Sequence, residues 1–265
     1  MVRELLLLRH GKSSANGGDD DFHRPLTDRG KRGAQRIGVY LATNKMIPAH
    51  VISSPAERAQ VTAEKCLKAM GQGAGGIVQD HRIYHAGSEE LLDVVRQAPA
   101  EATRVMIVGH NPGLEELLLY LTGGTLDSAE DGKLLPTATL AVLRTDHGWQ
   151  DQQPGGARLA ALIRPRTLPK KFPWPLMEGR EQRDRPAYYY QQSAVIPYRI
   201  RAGEPEILLI RSSKNKHWVV PKGIHEPGLT AEESARKEAV EEAGVEGTVA
   251  KRVVGSYSYE KWGAA

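Results

Sequence analysis

An α/β sandwich around a mostly parallel sheet, followed by a second and smaller domain, is the architecture this sequence predicts. Three observations carry that reading. Short apolar runs, suited to strands buried on both faces, alternate with helical stretches whose apolar positions fall mainly on one side. Three of these runs end in residues of one chemistry: Glu4 to Leu8 leads into Arg9-His10-Gly11, His50 to Ser54 leads through Pro55 into a helix holding Arg58, and Val105 to Val108 ends in Gly109-His110. The composition then changes at Pro165, where prolines and basic residues replace periodic apolar positions.

In chain order, Leu5 to Leu8 have no polar alternation, which predicts a central strand. Residues 11–21 are polar and read as a loop beside the strand end. Thr27 can cap a helix with Ala34, Ile37, Val39, Tyr40 and Leu41 on its apolar side. Strand 51–54 leads to a helix through about Ala69, ended by Gly71 and the glycine-rich 73–76. Ser88 can cap a helix carrying Leu91, Leu92, Val94 and Val95. Strand 104–108 is followed by a helix from Pro112, a residue tolerated in the first turn, to Leu121. Segments 137–143 and 158–163 read as strands. The expected division is a first domain over 1–168, a proline-containing basic linker over 169–187 and a second domain over 188–265. In the last, 194–200, 206–210 and 218–220 are strand-like, 230–243 is helical and stops at Gly244, and 249–257 resumes β character.

The chain has 265 residues, 40% of them hydrophobic, enough for packed cores and too many for disorder throughout. No apolar run approaches the ~20 residues that span a bilayer, so a membrane is not an expected partner. A single cysteine, Cys66, cannot form an internal disulfide and suits a reducing compartment. A cytoplasmic protein is expected. The pI near 9.1 raises nucleic-acid binding. However, residues 164–185 hold seven basic side chains against three acidic ones, an excess equal to the formal charge of +4 for the whole chain. With the remainder balanced, no basic face is expected on either domain and no nucleic acid among the partners.

Arg9, His10, Arg58 and His110 are all delivered to strand ends or just beyond them, the rim where open α/β sheets bind ligands. Guanidinium forks match phosphoryl oxygens, and a neutral, oriented histidine can attack phosphorus while a second stabilises the transferring oxygens. Other phosphate motifs fail. Gly11-Lys12-Ser13 lacks the earlier glycine of a P-loop, since Leu6 stands there, and Gln72 occupies the place of the arginine that a cysteine phosphatase built on Cys66 needs. Over about residues 1–168 the chain resembles the histidine phosphatase superfamily, and within it the short SixA-type phosphohistidine phosphatases. Arg9-His10-Gly11, Arg24-Pro25-Leu26-Thr27, Ser53-Ser54-Pro55 with Arg58, and Val108-Gly109-His110 carry the likeness. It implies a phosphoglycerate mutase-like three-layer α/β/α fold and no cofactor. By the same likeness His10 is the phosphorylated nucleophile, and Arg9, Arg58 and His110 hold the phosphoryl oxygens. Glu89 and Glu90 match no general acid and read as first-turn acids complementing a helix dipole.

In the second domain Glu238, Glu241 and Glu242 stand at i, i+3 and i+4, which puts three carboxylates on one helix face. Such clustered charge suits a hard divalent cation that bridges to substrate phosphates. The stretch from Gly223 to Val245 resembles the Nudix box, preceded by Trp218-Val219-Val220-Pro221-Lys222. The resemblance implies a smaller α/β/α domain that binds Mg²⁺ through Glu238, Glu241 and Glu242, with Glu241 also catalytic. The sequence departs from the box twice: Leu229 stands where a first glutamate is usual, and Lys237 replaces an arginine. Only residues 246–265 follow the box, too few for the remaining elements, so the domain is expected to be incomplete or degenerate. The combined expectation is a two-domain phosphohydrolase. One site is a metal-independent phosphatase for a phosphorylated small molecule or phosphohistidine protein. The other is an Mg²⁺-dependent hydrolase of a nucleoside-diphosphate-linked or other pyrophosphate compound. The alternative is a phosphohistidine phosphatase regulated by a non-catalytic, nucleotide-sensing second domain.

Overall fold

A computed structural model describes residues 1–14, 20–124, 126, 132–176, 181–212 and 216–259. Part of the loop expected at 11–21, and Glu178 and Arg180 of the basic segment, lie outside these described residues. The chain divides into two compact units, Met1–Tyr188 and Tyr189–Ala265. Among the described residues no helix is long and apolar enough to cross a membrane.

The first unit contains β1 (Arg3–Arg9), α1 (Asp28–Thr43), β2 (His50–Ser53), α2 (Glu57–Ala69), β3 (Ile77–Gln79), α3 (Ser88–Arg96), β4 (Arg104–Gly109), α4 (Gly113–Thr122), β5 (Leu140–Thr145) and β6 (Arg158–Ile163). Its sheet runs in the order β3-β2-β4-β1-β5-β6. Strands β3, β2, β4 and β1 are parallel, whereas β5 pairs antiparallel with both β1 and β6. The four leucines of β1 are buried because both faces of the sheet are covered, and successive side chains alternate between them. Leu5 and Leu7 join Val105 and Ile107 against Leu91, Val95, Leu114 and Leu118 of α3 and α4. Leu6 and Leu8 join Met106 and Val108 against Ile37, Leu41, Ala59 and Ala63 of α1 and α2. Each such leucine contributes roughly 2 kcal/mol on burial. The result is the expected three-layer sandwich.

Local chemistry sets the element ends. Thr27 caps α1 by accepting the Gly30 N–H at 3.2 Å. A Cβ on Gly30 would lie 2.2 Å from the Lys12 carbonyl oxygen, so only glycine lets the first turn of α1 approach the loop after β1. Ser88 does not cap α3; it is the first helical residue, and Glu90 instead accepts the Gly87 N–H at 2.9 Å, where a carboxylate also meets the positive end of the helix. Strand β5 starts at Leu140 rather than 137 because Ala138 turns at φ 59° and its N–H bonds back to the Arg9 and His10 carbonyls.

Residues 169–187, expected as a linker, contain an antiparallel pair of strands, β7 (Phe172–Trp174) and β8 (Glu181–Arg183), within the first unit. Phe172 is 1% exposed, Leu176 packs against the cluster around Leu6 and Leu8, and Arg183 lies over the Trp174 ring at 4.5 Å. Apolar side chains between the prolines anchor the segment, and a two-stranded edge pair tolerates proline.

Among its described residues the second unit has three short antiparallel pairs and one helix. Pairing joins β10 (Tyr198–Arg201) with β11 (Glu204–Ile207), β12 (Ile210–Arg211) with β13 (Trp218–Val219), and β14 (Lys222–Ile224) with β9 (Gln192–Ala194). Helix α5 (Ala231–Ala243) is capped by Thr230 and Glu233 reciprocally and ends at Gly244, φ 62°. Strands and helix are consistent with the expected fold class. Residues 249–257, expected as β, form no strand: among the described residues they have no ladder partner, and Val253 and Val254 are exposed.

Candidate active site

Register brings the expected residues of the first unit together. Arg9 is opposite Gly109 and Ser53 opposite Val108, so the residues that follow these parallel strands emerge on one rim. The His10 and His110 ring centroids are 5.0 Å apart. A cavity of about 350 Å³ is lined by both histidines, Arg9, Arg24, Arg58, His85 and Glu116 among others.

His10 is 7% exposed, and its Nδ1 is 2.7 Å from the Gly11 carbonyl oxygen. A carbonyl only accepts, so Nδ1 carries the proton and Nε2 keeps a lone pair. Burial, only partly offset by that hydrogen bond, combines with the Arg58, Arg9 and Arg24 charges to push His10 down to about 4. Burial, then the neighbouring His10 and Arg58, push His110 down to about 3. Its Nε2 is 2.9 Å from Ser54 Oγ. Arg9 donates to the Leu135 carbonyl at 2.7 Å. Arg58 donates to the Asp21 carbonyl at 2.5 Å and to Asp21 Oδ2 at 2.8 Å. Burial raises Asp21, but Arg58 and Arg24 more than offset it and hold the carboxyl below its usual range, so it is ionised and a poor proton donor. Around this one cavity Arg9 Nε, Arg24 Nε, Arg58 Nε and His110 Nδ1 are buried with no hydrogen-bond partner among the described residues. Three guanidinium groups and the His10 and His110 imidazoles around one cavity suit an oxyanion with several acceptors.

Two buried, neutral imidazoles have a consequence for stability. Their folded pKa values lie below the unfolded value near 6.5, so below that pH the unfolded chain binds protons the folded chain refuses. Stability is therefore expected to fall as pH drops from 6.5 towards 4, by roughly 1.4 kcal/mol per pH unit for each ring. Urea midpoints at pH 7 and 4.5 measure it, and His110→Gln should flatten the loss. An unchanged midpoint at pH 4.5 would refute the burial of neutral rings.

The carboxylates of α5 lie beside β14. An ideal Cβ on Gly223 would be 2.0 Å from Glu238 Oε1, so glycine there makes room for that carboxylate. Burial and the neighbouring Glu242 and Glu241 push Glu238 above the usual carboxylate range. Glu242 accepts the Lys222 N–H at 2.8 Å, while Lys237 pairs with Glu226 at 2.7 Å and lies 3.7 Å from Glu241. Among the described residues no three His, Cys, Asp or Glu side chains converge closely enough to hold a metal ion together. The carboxylates repel one another electrostatically as a cation site would have them, but their present contacts do not form a coordination shell.

Sequence reasoning missed Asp21, Tyr84 and Ser54 as partners in the first site. Tyr84 donates to Asp21 Oδ2 at 3.2 Å and stacks edge-on against His110. No local pattern marks Asp21 or Tyr84, since each meets Arg58 from a distant stretch. Ser54 was legible as the residue ending a strand beside the other two site strands.

A model of the histidine phosphatase superfamily (branch 1) matches residues 5–83, and the NUDIX domain model matches residues 190–263. An uncharacterized protein of Mycobacterium tuberculosis is 32% identical over 165 residues, 60% of this chain and 100% of that protein. A solved Nakamurella multipartitia structure, assigned as a SixA phosphohistidine phosphatase, is 28% identical with TM-score 0.53, covering 62% of this chain and 97% of that one. The chloroplastic Nudix hydrolase 21 of Arabidopsis thaliana is 39% identical over 87 residues, 31% of this chain and 43% of that protein.

Proposed function

Because this chain belongs to the histidine phosphatase superfamily, a family of phosphoryl-bond hydrolases, and its second unit matches the NUDIX domain, we propose that it is a two-site phosphohydrolase. The first unit would act as a metal-independent phosphatase through a phosphohistidine on His10. The observation that supports this most is one cavity lined by His10, with Nε2 unprotonated, together with Arg9, Arg24, Arg58 and His110. In the reaction His10 Nε2 attacks phosphorus and the bond to the leaving group breaks. Water then cleaves the phosphohistidine, returning neutral His10 and releasing phosphate. Arg9 and Arg58 hold the oxygens throughout, and the phosphoryl dianion raises the His110 pKa from its low resting value, so that a protonated His110 can share its charge. Substrates with good leaving groups, such as phosphohistidine, suit a cavity whose Asp21 is ionised.

The test is turnover of p-nitrophenyl phosphate and a phosphohistidine peptide in the presence of a chelator. Arg58→Ala and His110→Ala should each lower kcat/KM by about 10²-fold to 10³-fold, as loss of an oxyanion donor does, while urea unfolding stays cooperative. A folded variant with wild-type kinetics would remove that residue from the site.

For the second unit the proposal is hydrolysis of a nucleoside-diphosphate-linked or related pyrophosphate compound, with Glu238, Glu241 and Glu242 as the residues that would hold Mg²⁺. The metal, when bound, would supply charge neutralisation on the phosphates and an acidified water. What this chain itself contributes is the α5 face and the space at Gly223. A second reading, a nucleotide sensor without turnover, is favoured by the Lys222 and Lys237 contacts that occupy Glu242 and approach Glu241.

A further inference from the structure

Beside the catalytic cavity lies a second cleft of about 530 Å³, and the two share Arg9. Lys12 from the loop after β1, Arg29 and Arg36 from α1, and Arg164 and Arg166 after β6 line its walls. No aspartate or glutamate is among its described lining residues. Arg164, 8% exposed, is fixed by donating to the Lys133 carbonyl, and Arg36 donates to the Pro165 carbonyl at 3.4 Å. Arg36 Nε, Arg9 Nε and the fully buried Thr139 Oγ1 have no hydrogen-bond partner among the described residues. The cleft is thus built from anchored as well as exposed cations. Two of them, Arg164 and Arg166, belong to the basic stretch 164–185 and lie at the end of the first domain, ahead of the expected linker.

We propose that this cleft binds the additional phosphate groups of a substrate that carries more than one, with the terminal phosphoryl group at His10 and the rest along Lys12, Arg29 and Arg166. The inference rests on the phosphatase reading above and narrows its substrate to a polyphosphorylated small molecule. Volume is one reason: about 530 Å³ together with about 350 Å³ is the size of a small-molecule site. Geometry is the other, since a guanidinium shared by both cavities can hold two neighbouring phosphates by its separate N–H edges.

The probe is inorganic tripolyphosphate, titrated into the full chain carrying His10→Ala with a chelator present, and compared with orthophosphate. Tripolyphosphate should bind at least tenfold tighter than orthophosphate. Adding Lys12→Ala with Arg29→Ala should remove that advantage, and Arg166→Ala should reduce it, with orthophosphate affinity unchanged. In the wild-type background the same substitutions should leave p-nitrophenyl phosphate turnover intact while raising KM for polyphosphorylated substrates. Equal affinity for the two probes would overturn the proposal, as would a tripolyphosphate affinity indifferent to Lys12, Arg29 and Arg166. Tighter binding of a single-stranded oligonucleotide would overturn it in favour of a nucleic-acid surface. Failure of p-nitrophenyl phosphate turnover in the wild type would strike the phosphatase reading instead, while the tripolyphosphate titration would still decide whether the cleft holds polyphosphate.

Discussion

Replacing His10 by alanine is expected to lower phosphatase turnover by at least about a thousandfold, because it removes the nucleophile and leaves only binding and electrostatic stabilisation. Tautomer and burial equip His10 for attack. Nδ1 is committed to the Gly11 carbonyl, Nε2 is the free lone pair, and a pKa pushed down to about 4 keeps the ring neutral at pH 7. Wild-type protein mixed rapidly with a labelled substrate should show an acid-labile, base-stable phosphoryl adduct, and His10→Ala should show none. Cooperative urea unfolding of the variant separates lost chemistry from lost structure. Labelling that persists in His10→Ala would place the covalent intermediate on another residue.

Chelation is expected to abolish diphosphate hydrolysis and leave phosphatase turnover unaltered. The first site offers guanidinium and imidazole groups, the second carboxylates, and only the second would draw on a divalent cation. Glu241→Gln together with Glu242→Gln should reproduce the effect of the chelator. Relief of repulsion gives an independent readout: Mg²⁺ should raise the urea midpoint of the wild type and not of the double variant, since the cation screens Glu242 and Glu241, which add to burial in pushing Glu238 above its usual range. Equal loss of both activities on chelation would point to a shared metal requirement. Binding of nucleotide without turnover at saturating Mg²⁺ would favour the sensor, in which Lys222 and Lys237 keep Glu242 and Glu241 occupied.

The alternation of buried runs and one-sided helices was legible because it follows local periodicity. Leu5 to Leu8, the Thr27 cap and the stop at Gly244 needed no tertiary information. Arg9, His10, Arg58 and His110 could be picked out for the same reason: strand ends in a parallel sheet share a rim, and the register of β1, β4 and β2 makes that rim a single cavity. The strand pair at 169–187 was not legible, because its prolines and charges report on solvent while its anchoring depends on a groove made by other elements.

By itself, then, the sequence determined the sandwich, the two family resemblances and the residues at the strand ends, since periodicity, capping and motif spacing are local properties of the chain. Only the tertiary structure decided which distant groups meet. Asp21 and Tyr84 reach Arg58, Arg164 and Arg166 form part of the wall of a cleft beside Arg9, and Glu238 fits against Gly223. The physical reason is that charge density, desolvation and hydrogen-bond balance are set by what packs within a few ångströms, and sequence separation carries no information about that distance.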